Sequence, residues 1–180
     1  MNRKKCRHCK EYFRPEKRLQ HYCLKAECVE EWVRVEREKQ WKRKKKQLKE
    51  ELKTVQDLMK EAQIAFNAYI RERDKDKPCI SCGKKLTGKY DAGHFYSSGG
   101  HKAVTFNEYN VHGQCVACNQ HKHGNLLEYR KGILKRIGER KLSELTQLSN
   151  NTIKFTRDEL KAIRDEYKQK IKQLKECKTK

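Results

Sequence analysis

The chain has 180 residues, a formal charge of +21 at pH 7, and 35% hydrophobic against 38% charged residues. So little apolar material excludes one large hydrophobic core. A positive excess of this size repels itself in a compact state and favours a polyanionic partner, of which the nucleic-acid backbone is the commonest. No apolar stretch reaches transmembrane length and no lipidation signal is present, so we expect a soluble, cytoplasmic protein.

The first 29 residues predict a small zinc module. They contain two close cysteine pairs, C6-R-H-C9 and C23-L-K-A-E-C28, and a segment this short cannot bury enough surface to fold without a metal. The expected ligands are Cys6, Cys9, Cys23 and Cys28. His8 or His21 could replace one of these cysteines. Cys177, in the polar tail, is expected to be a surface thiol.

Residues 30–76 predict one long basic amphipathic helix. Positions 30–75 contain no Gly or Pro, and apolar residues recur in alternating steps of four and three, which is typical of a heptad seam. The seam consists of Leu48, Leu52, Val55, Met59, Ala62, Phe66 and Tyr69. The first part of the predicted helix, residues 39–49, carries seven basic residues and no acidic one. This stretch could lie along DNA phosphates or form a solvated helix face. Its candidate DNA contacts are Lys42, Arg43, Lys44, Lys45 and Lys46.

Residues 77–148 contain two C-x-x-C pairs, which predict a second four-cysteine zinc site. Its ligands would be Cys79, Cys82, Cys115 and Cys118. Between the pairs, the β-type runs KYDAGHF and KAVTF are separated by the turn-forming SSGGH, so we expect a hairpin. The pattern after Cys118 predicts a helix.

Residues 149–180 predict a C-terminal helix. Thr156 and Glu159 have the spacing of a capping box. A narrow apolar stripe follows, formed by Leu160, Ile163, Tyr167, Ile171 and Leu174. This stripe and the heptad seam could pack on each other within one chain or between two chains.

Several side chains around the central zinc site suit phosphodiester hydrolysis. That reaction needs a base to deprotonate water, a cation to neutralise developing charge, and groups that hold both in place. His94 is the candidate base because imidazole titrates near neutral pH. Asp91, Asn119 and His123 are candidate ligands of a divalent ion. Asn119 and His123 are four residues apart, which predicts that they share one helix face.

Three stretches resemble the HNH/ββα-metal nuclease superfamily and, more closely, the NinG/Rap recombination family of lambdoid phages: IRERDKDKPCISCG (70–83), DAGHFYS (91–97) and FNEYNVHGQCVACNQHKHGN (106–125). The resemblance implies an α+β protein, in which a central zinc-stapled, treble-clef-like ββα-metal domain is flanked by a small N-terminal zinc module and long α-helices. It also implies cleavage of branched DNA, such as Holliday junctions or D-loop-like intermediates, with structural zinc and a catalytic Mg²⁺ or Mn²⁺. A phage protein of this kind would act in the host cytoplasm.

The resemblance also assigns roles to individual residues. His94 matches the general base, Asn110 the middle Asn that orients the base, and Asn119 a metal-binding helix position. Gly93 departs from the family, in which an acidic residue or His commonly precedes the base, so Asp91 or His123 would supply the missing ligand. Asn110 could instead form a turn.

The remaining polar residues of this region carry weaker expectations. Lys122 is a candidate phosphate contact or a solvated lysine. We expect His112 and His121 to be structural or solvent-facing.

Two functional hypotheses follow from these patterns. The first is a metal-dependent endonuclease, acting as a homodimer because resolving a junction requires two symmetric cuts. The second is a non-catalytic, zinc-dependent DNA-binding or recombination mediator protein. An adaptor built on the heptad helices is a third possibility, but it leaves most of the positive charge unexplained.

Overall fold

The computed structural model describes residues 3–176, which form helices and two small antiparallel sheets. Contacts divide the chain into two compact units, Met1–Lys53 and Thr54–Lys180. Cys177 lies outside the described residues. Within 3–176, no helix is both long and apolar enough to cross a membrane.

The N-terminal unit is a short hairpin followed by a long helix. Strand β1 (Lys4–Lys5) pairs antiparallel with β2 (Tyr12–Phe13), and helix α1 runs over Ala26–Glu51. The first turn of α1 contains the buried Cys28, which packs with the other cysteines of this unit and with Phe13. A core this small would require a bound metal for its stability.

The helix expected over residues 30–76 is two helices in the structure. The first, α1, ends at Glu51, and α2 spans Val55–Asp74. Thr54 caps α2: its hydroxyl accepts a hydrogen bond from the Asp57 backbone N–H, while the Asp57 carboxylate accepts one from the Thr54 N–H. This T-x-x-D capping box is a start signal that the heptad interpretation missed. The seam is therefore discontinuous, and Leu52 is 80% exposed.

The C-terminal helix packs on α2 within the same unit. Helix α4 (Arg157–Glu176) begins after Thr156, whose capping box with Glu159 is confirmed. The two apolar stripes meet in buried clusters that contain Leu58, Ala62, Phe66, Ile70, Leu160 and Tyr167. These stripes thus pack against each other inside one chain.

The central hairpin has a different second strand from the one expected. KYDAGHF forms β3 (Tyr90–His94) as predicted, but its antiparallel partner is β4 (Val111–Cys115), in the register Tyr90↔Cys115 to His94↔Val111. The assignment of KAVTF to a strand is wrong. Lys102–Val104 form one turn of 3₁₀-helix, because Val104 turns into the core beside Tyr129 rather than along a sheet.

The hairpin is held by a helix on each side of its backbone. Val111 and Ala92 pack with Phe66 of α2. Helix α3 (Leu126–Ser149), broken at Gly138, contributes Tyr129, whose hydroxyl donates to the Gly93 carbonyl at 2.8 Å. Helix α3 ends at Ser149, one residue beyond the expected domain boundary between residues 148 and 149. These contacts fix the end of β3, where the candidate base lies.

Candidate functional site

The central cysteines are arranged as a zinc site. The Sγ atoms of Cys79, Cys82, Cys115 and Cys118 all lie within 4.8 Å of one another, and those of Cys82 and Cys115 are 3.8 Å apart. Tetrahedral coordination with Zn–S bonds of about 2.3 Å places sulfurs about 3.8 Å apart. A disulfide would require a sulfur separation of about 2.0 Å. Zinc bound here would clamp the turn before β3 to the end of β4 and the segment that follows it.

The N-terminal cysteines form a second such site. Cys6, Cys9, Cys23 and Cys28 lie within the same 4.8 Å limit, with the Cys9 and Cys23 sulfurs 3.7 Å apart, and neither His8 nor His21 belongs to the group. Backbone N–H groups favour the thiolate form of one cysteine in each set, whereas burial raises the pKa of Cys28 and Cys118. Burial raises the pKa of Cys6, but hydrogen bonds from backbone N–H groups, including that of Cys23 at 3.4 Å, bring it down to about 6. The pKa of Cys79 is lowered to about 7 in the same way. Zinc binds thiolates, so both sites suit it.

Beside the central zinc site lies a cleft of about 710 Å³ that brings together three of the predicted side chains: His94, Asn119 and His123. His94 ends β3, and Asn119 lies in a π-helical turn (Ala117–His121) directly after the zinc ligand Cys118. Single π-helical turns are frequent at functional sites. The zinc knuckle and the β3–β4 pairing thus set His94 and Asn119 on walls of one cleft.

The His94 imidazole is suited to act as a base. Its Nε2 lies 3.3 Å from the Thr105 carbonyl oxygen. Since a carbonyl can only accept, the tautomer that satisfies this contact carries its proton on Nε2 and has Nδ1 as the basic nitrogen. Burial lowers the pKa of His94 below its usual value, although the Thr105 and Ala92 carbonyls act in the opposite direction. The ring is therefore neutral at neutral pH, as a general base must be.

Asp91 holds Asn119 rather than lining the cleft. Its Oδ2 accepts hydrogen bonds from Asn119 Nδ2 and from Gln120 Nε2, each at 2.9 Å. Asp91 is not among the residues that form the cleft wall. The Asn119 Nδ2 is bonded to the Asp91 carboxylate. The Asn119 Oδ1 accepts no hydrogen bond from any described residue. An amide oxygen is a suitable ligand for a hard divalent cation.

His123 reaches the cleft from a left-handed turn. The φ angles of His123, Gly124 and Asn125 are 47°, 86° and 44°, so the prediction that Asn119 and His123 share one helix face is wrong. Gln114 stabilises the turn by donating from Nε2 to the Gly124 carbonyl at 2.6 Å. A left-handed non-glycine residue is strained, and such strain clusters at functional sites.

The described residues form no preassembled cage of three or more ionisable ligands for a divalent cation in this cleft. Within residues 3–176, the two four-cysteine sets are the only groups of three or more His, Cys, Asp or Glu ligand atoms within 4.8 Å of one another. Asp91, His94 and His123 therefore do not converge as a three-ligand site. A cation there would depend on Asn119 Oδ1, His123 and the oxygens of its substrate.

Gly93 is required by packing. A Cβ atom at this position would lie 2.1 Å from Oε1 of the fully buried Gln114. A side chain at position 93 would therefore force Gln114 to move. Gln114 was not singled out by the sequence, because an isolated Gln in a strand carries no motif signal.

Asn110 positions a loop and does not touch the base. The side chain is fully buried; its Oδ1 accepts from the Tyr96 N–H, and its Nδ2 donates to the carbonyls of Tyr96 and Val104, all at 2.8–3.0 Å. Among the described residues, the hydrogen bonds of the Asn110 side chain go to the backbone of Tyr96 and Val104 and not to the His94 ring. Asn110 holds the carbonyl of Val104, the residue before Thr105. The Thr105 carbonyl in turn contacts the His94 ring.

The remaining predicted residues lie away from the cleft. His112 is buried, with Nδ1 3.2 Å from the Tyr129 hydroxyl, and burial, followed by Arg73 and Arg136, lowers its pKa to about 3. His112 is thus structural, as expected. His121 and Lys122 are exposed and do not line the cleft. The five basic candidates at 42–46 are exposed on α1, in the N-terminal unit.

Comparison with known proteins places the chain in a family. The family model described as bacteriophage lambda NinG protein matches residues 1–177. A NinG protein of Escherichia phage 933W is 38% identical over 96% of this chain and 94% of its own length. The NinG protein of Escherichia phage lambda is 48% identical over 65% of this chain and 57% of its own length. No solved structure shows significant similarity to the chain. The chain therefore belongs to the NinG family of lambdoid phages.

Proposed function

We propose that this NinG-family chain is a metal-dependent endodeoxyribonuclease of the HNH, or ββα-metal, type. The observation that supports this most is the shared cleft. A neutral imidazole at the end of β3 and an amide oxygen after the last zinc cysteine line one cavity beside a zinc knuckle. The hairpin, the knuckle and α3 would then be the treble-clef-like ββα unit.

In this mechanism His94 Nδ1 takes the proton from the attacking water while Nε2 stays bonded to the Thr105 carbonyl. Asp91 holds the Asn119 Nδ2, which leaves Oδ1 as the ligand atom of this side chain. Mg²⁺ or Mn²⁺, held by Asn119 and His123, would supply charge neutralisation at the phosphate. By resemblance to the superfamily, the products carry a 5′-phosphate and a 3′-hydroxyl.

The substrate proposed is branched DNA, such as Holliday junctions or D-loop-like intermediates. The formal charge of +21 favours a polyanion. The exposed residues Lys42, Arg43, Lys44, Lys45 and Lys46 offer a phosphate-binding stretch on α1. Lys122, also exposed, adds positive charge to the π-helical segment that carries Asn119.

Two cuts at a junction require two active sites, so we also propose a homodimer. The apolar stripes of α2 and α4 are used inside the chain, and an interface would need other surfaces. Sedimentation of the protein alone and on a junction tests this proposal. A single chain in both samples would contradict it.

A non-catalytic DNA-binding or recombination mediator role is the alternative. It accounts for the charge and for both zinc sites, but it gives no reason for an imidazole and a free amide oxygen to line one cleft. The two functions differ in one readout, which is cleavage.

The deciding experiment incubates the zinc-loaded protein with a four-way DNA junction and Mg²⁺ or Mn²⁺. We expect cleavage by the wild type and a loss of about 10²- to 10⁴-fold in His94→Ala, the usual contribution of a general base. His121→Ala, which changes an exposed imidazole outside the cleft, is the matched control. Undiminished cleavage by folded His94→Ala, or none by the wild type, would overturn the proposal.

A further inference from the structure

A second cavity in the C-terminal unit is lined by basic side chains that no part of the nuclease mechanism uses. It measures about 630 Å³ and lies where the end of α2, the loop before β4 and α3 meet. Its wall includes Arg73, Lys77, Arg136 and His112, with Asn107 and Tyr109 beside them. None of these residues lines the cleft that contains His94.

Positive charge is in excess at this cavity. Arg73, Lys77 and Arg136 all contact the one carboxylate of Asp74, at 2.8, 2.9 and 3.4 Å. Asp74 is fully buried and also accepts the Gly113 N–H at 2.9 Å. Glu108 also lines the wall and pairs with Arg73 at 3.9 Å and with Lys170 at 2.9 Å. Three basic wall residues are thus opposed by two carboxylates, those of Asp74 and Glu108, and Lys170 shares the second of these.

The cations retain donors for a ligand. Lys77 makes one hydrogen bond, to Asp74, and its side chain is 45% exposed. Arg136 donates from Nη1 to Asp74 and from Nη2 to the Pro78 carbonyl. Its Nε has no partner among the described residues. Its side chain is only 20% exposed, so an anion would meet it in a partly desolvated site, where charge pairing is strong.

His112 gives a second sign of positive potential at this wall. The residue is 98% buried, and its Nδ1 faces the Tyr129 hydroxyl while its Nε2 has no hydrogen-bond partner in the described part of the chain. The pKa of His112 is depressed to about 3 by burial and then by Arg73 and Arg136. The pKa of Arg136 is itself lowered, chiefly by burial. The contributions of Arg73 and Arg136 to the His112 shift place cationic charge beside this ring.

We propose that this cavity binds a phosphate group, with Lys77 and Arg136 as its principal donors. Guanidinium and ammonium groups are the usual phosphate ligands in proteins. The phosphate would belong either to a nucleic-acid backbone or to a free phosphate compound. The site is separate from the cleft and does not depend on the nuclease proposal.

The test titrates inorganic phosphate into the zinc-loaded full chain at constant ionic strength, without Mg²⁺ or Mn²⁺. Proton–nitrogen correlation spectra of the histidine rings report on His112, which lies in the cavity wall. We expect the His112 resonances to shift saturably and Lys77→Met to weaken phosphate binding by about tenfold, as for a charge-assisted hydrogen bond. Lys168→Met, which removes one exposed charge on α4, should bind phosphate as the wild type does.

Adding a short DNA duplex to the phosphate complex distinguishes the two sources. If the site binds a backbone phosphate, DNA displaces the inorganic phosphate. The slope of log DNA affinity against log salt concentration should then decrease by about one in Lys77→Met. Phosphate that stays bound beside DNA identifies a free phosphate ligand. Stationary His112 resonances in a folded protein, or equal effects of the Lys77 and Lys168 variants, would overturn the proposal. Failure of junction cleavage would not affect this result.

Discussion

Asn119 donates its side-chain N–H to the Asp91 carboxylate at 2.9 Å, across 28 positions of sequence. The bond joins β3 to the π-helical turn that contains Asn119, and it engages the nitrogen end of the amide. A carboxylate that accepts two amide donors acts here as a positioning group for Asn119. The sequence presented Asp91 only as a possible ligand of the cation.

Replacement of Asp91 tests this positioning role. Asp91→Asn retains an oxygen that can accept from Asn119, so we expect cleavage and Mn²⁺ affinity within a few-fold of wild type. Asp91→Ala removes the acceptor and should cost about 10- to 100-fold, the usual range for a residue that orients a metal ligand. Cleavage rates and Mn²⁺ titrations of both variants measure this. Equal, severe losses would instead identify Asp91 as a direct ligand.

The protonation of His94 predicts the pH dependence of cleavage. The imidazole must be neutral to accept a proton, and burial holds its pKa below the usual value of about 6.5. We therefore expect cleavage to be lost as pH falls through that pKa and to be at its plateau already at neutral pH. A profile of kcat/KM against pH, with zinc content monitored at each point, measures the acid limb. A midpoint above neutral pH would contradict the assignment.

Gly93 should tolerate no side chain. In Gly93→Ala the new Cβ would meet Gln114 Oε1 at 2.1 Å, so Gln114 must move and release the Gly124 carbonyl it holds. We expect a loss of about 1–3 kcal/mol in the free energy of unfolding, the usual range for overpacking. Gly99→Ala, where no atom lies within 4 Å, is the control. Urea denaturation that gives equal stabilities would refute the packing argument.

The two cysteine sets should bind zinc independently, because they lie in different units. Metal analysis should find two zinc ions per wild-type chain. Cys82→Ser should remove one zinc together with cleavage, since its site joins β4 to the Asn119 segment. Cys9→Ser should remove the other zinc and leave the fold of the C-terminal unit intact. Loss of both ions in either variant would show that the sites are coupled.

Part of the fold could be predicted from local patterns. The cysteine spacings identified both clusters that could bind metal, and the capping box at Thr156 identified the start of α4. The same type of signal at Thr54 was overridden by an apolar periodicity that happens to continue across the break. Strand β4 was missed because VHGQC, with Gly113 and Gln114 inside it, has neither β-branched enrichment nor alternation.

The sequence predicted which residues belong to the candidate site, but not how their side chains contact one another. His94, Asn119 and His123 were identified because motif order indicates chemistry, and the structure places them in one cleft. The tasks of Asp91 and Asn110 depend on hydrogen bonds to residues far along the chain, which periodicity and spacing do not encode. The left-handed turn at 123–125 was hidden for a related reason. Its non-glycine residues are held in strain by tertiary contacts such as that of Gln114.

The most direct measurement of the central claim is Mn²⁺ binding followed at the two side chains. Paramagnetic broadening falls steeply with distance, so a cation held in the cleft should broaden the His94 ring and the Asn119 amide signals before those of His121. Asn119→Ala should abolish the effect at His94 while both zinc ions remain bound. Broadening that spares positions 94 and 119, or that persists unchanged in Asn119→Ala, would contradict a hydrolytic cation at this site.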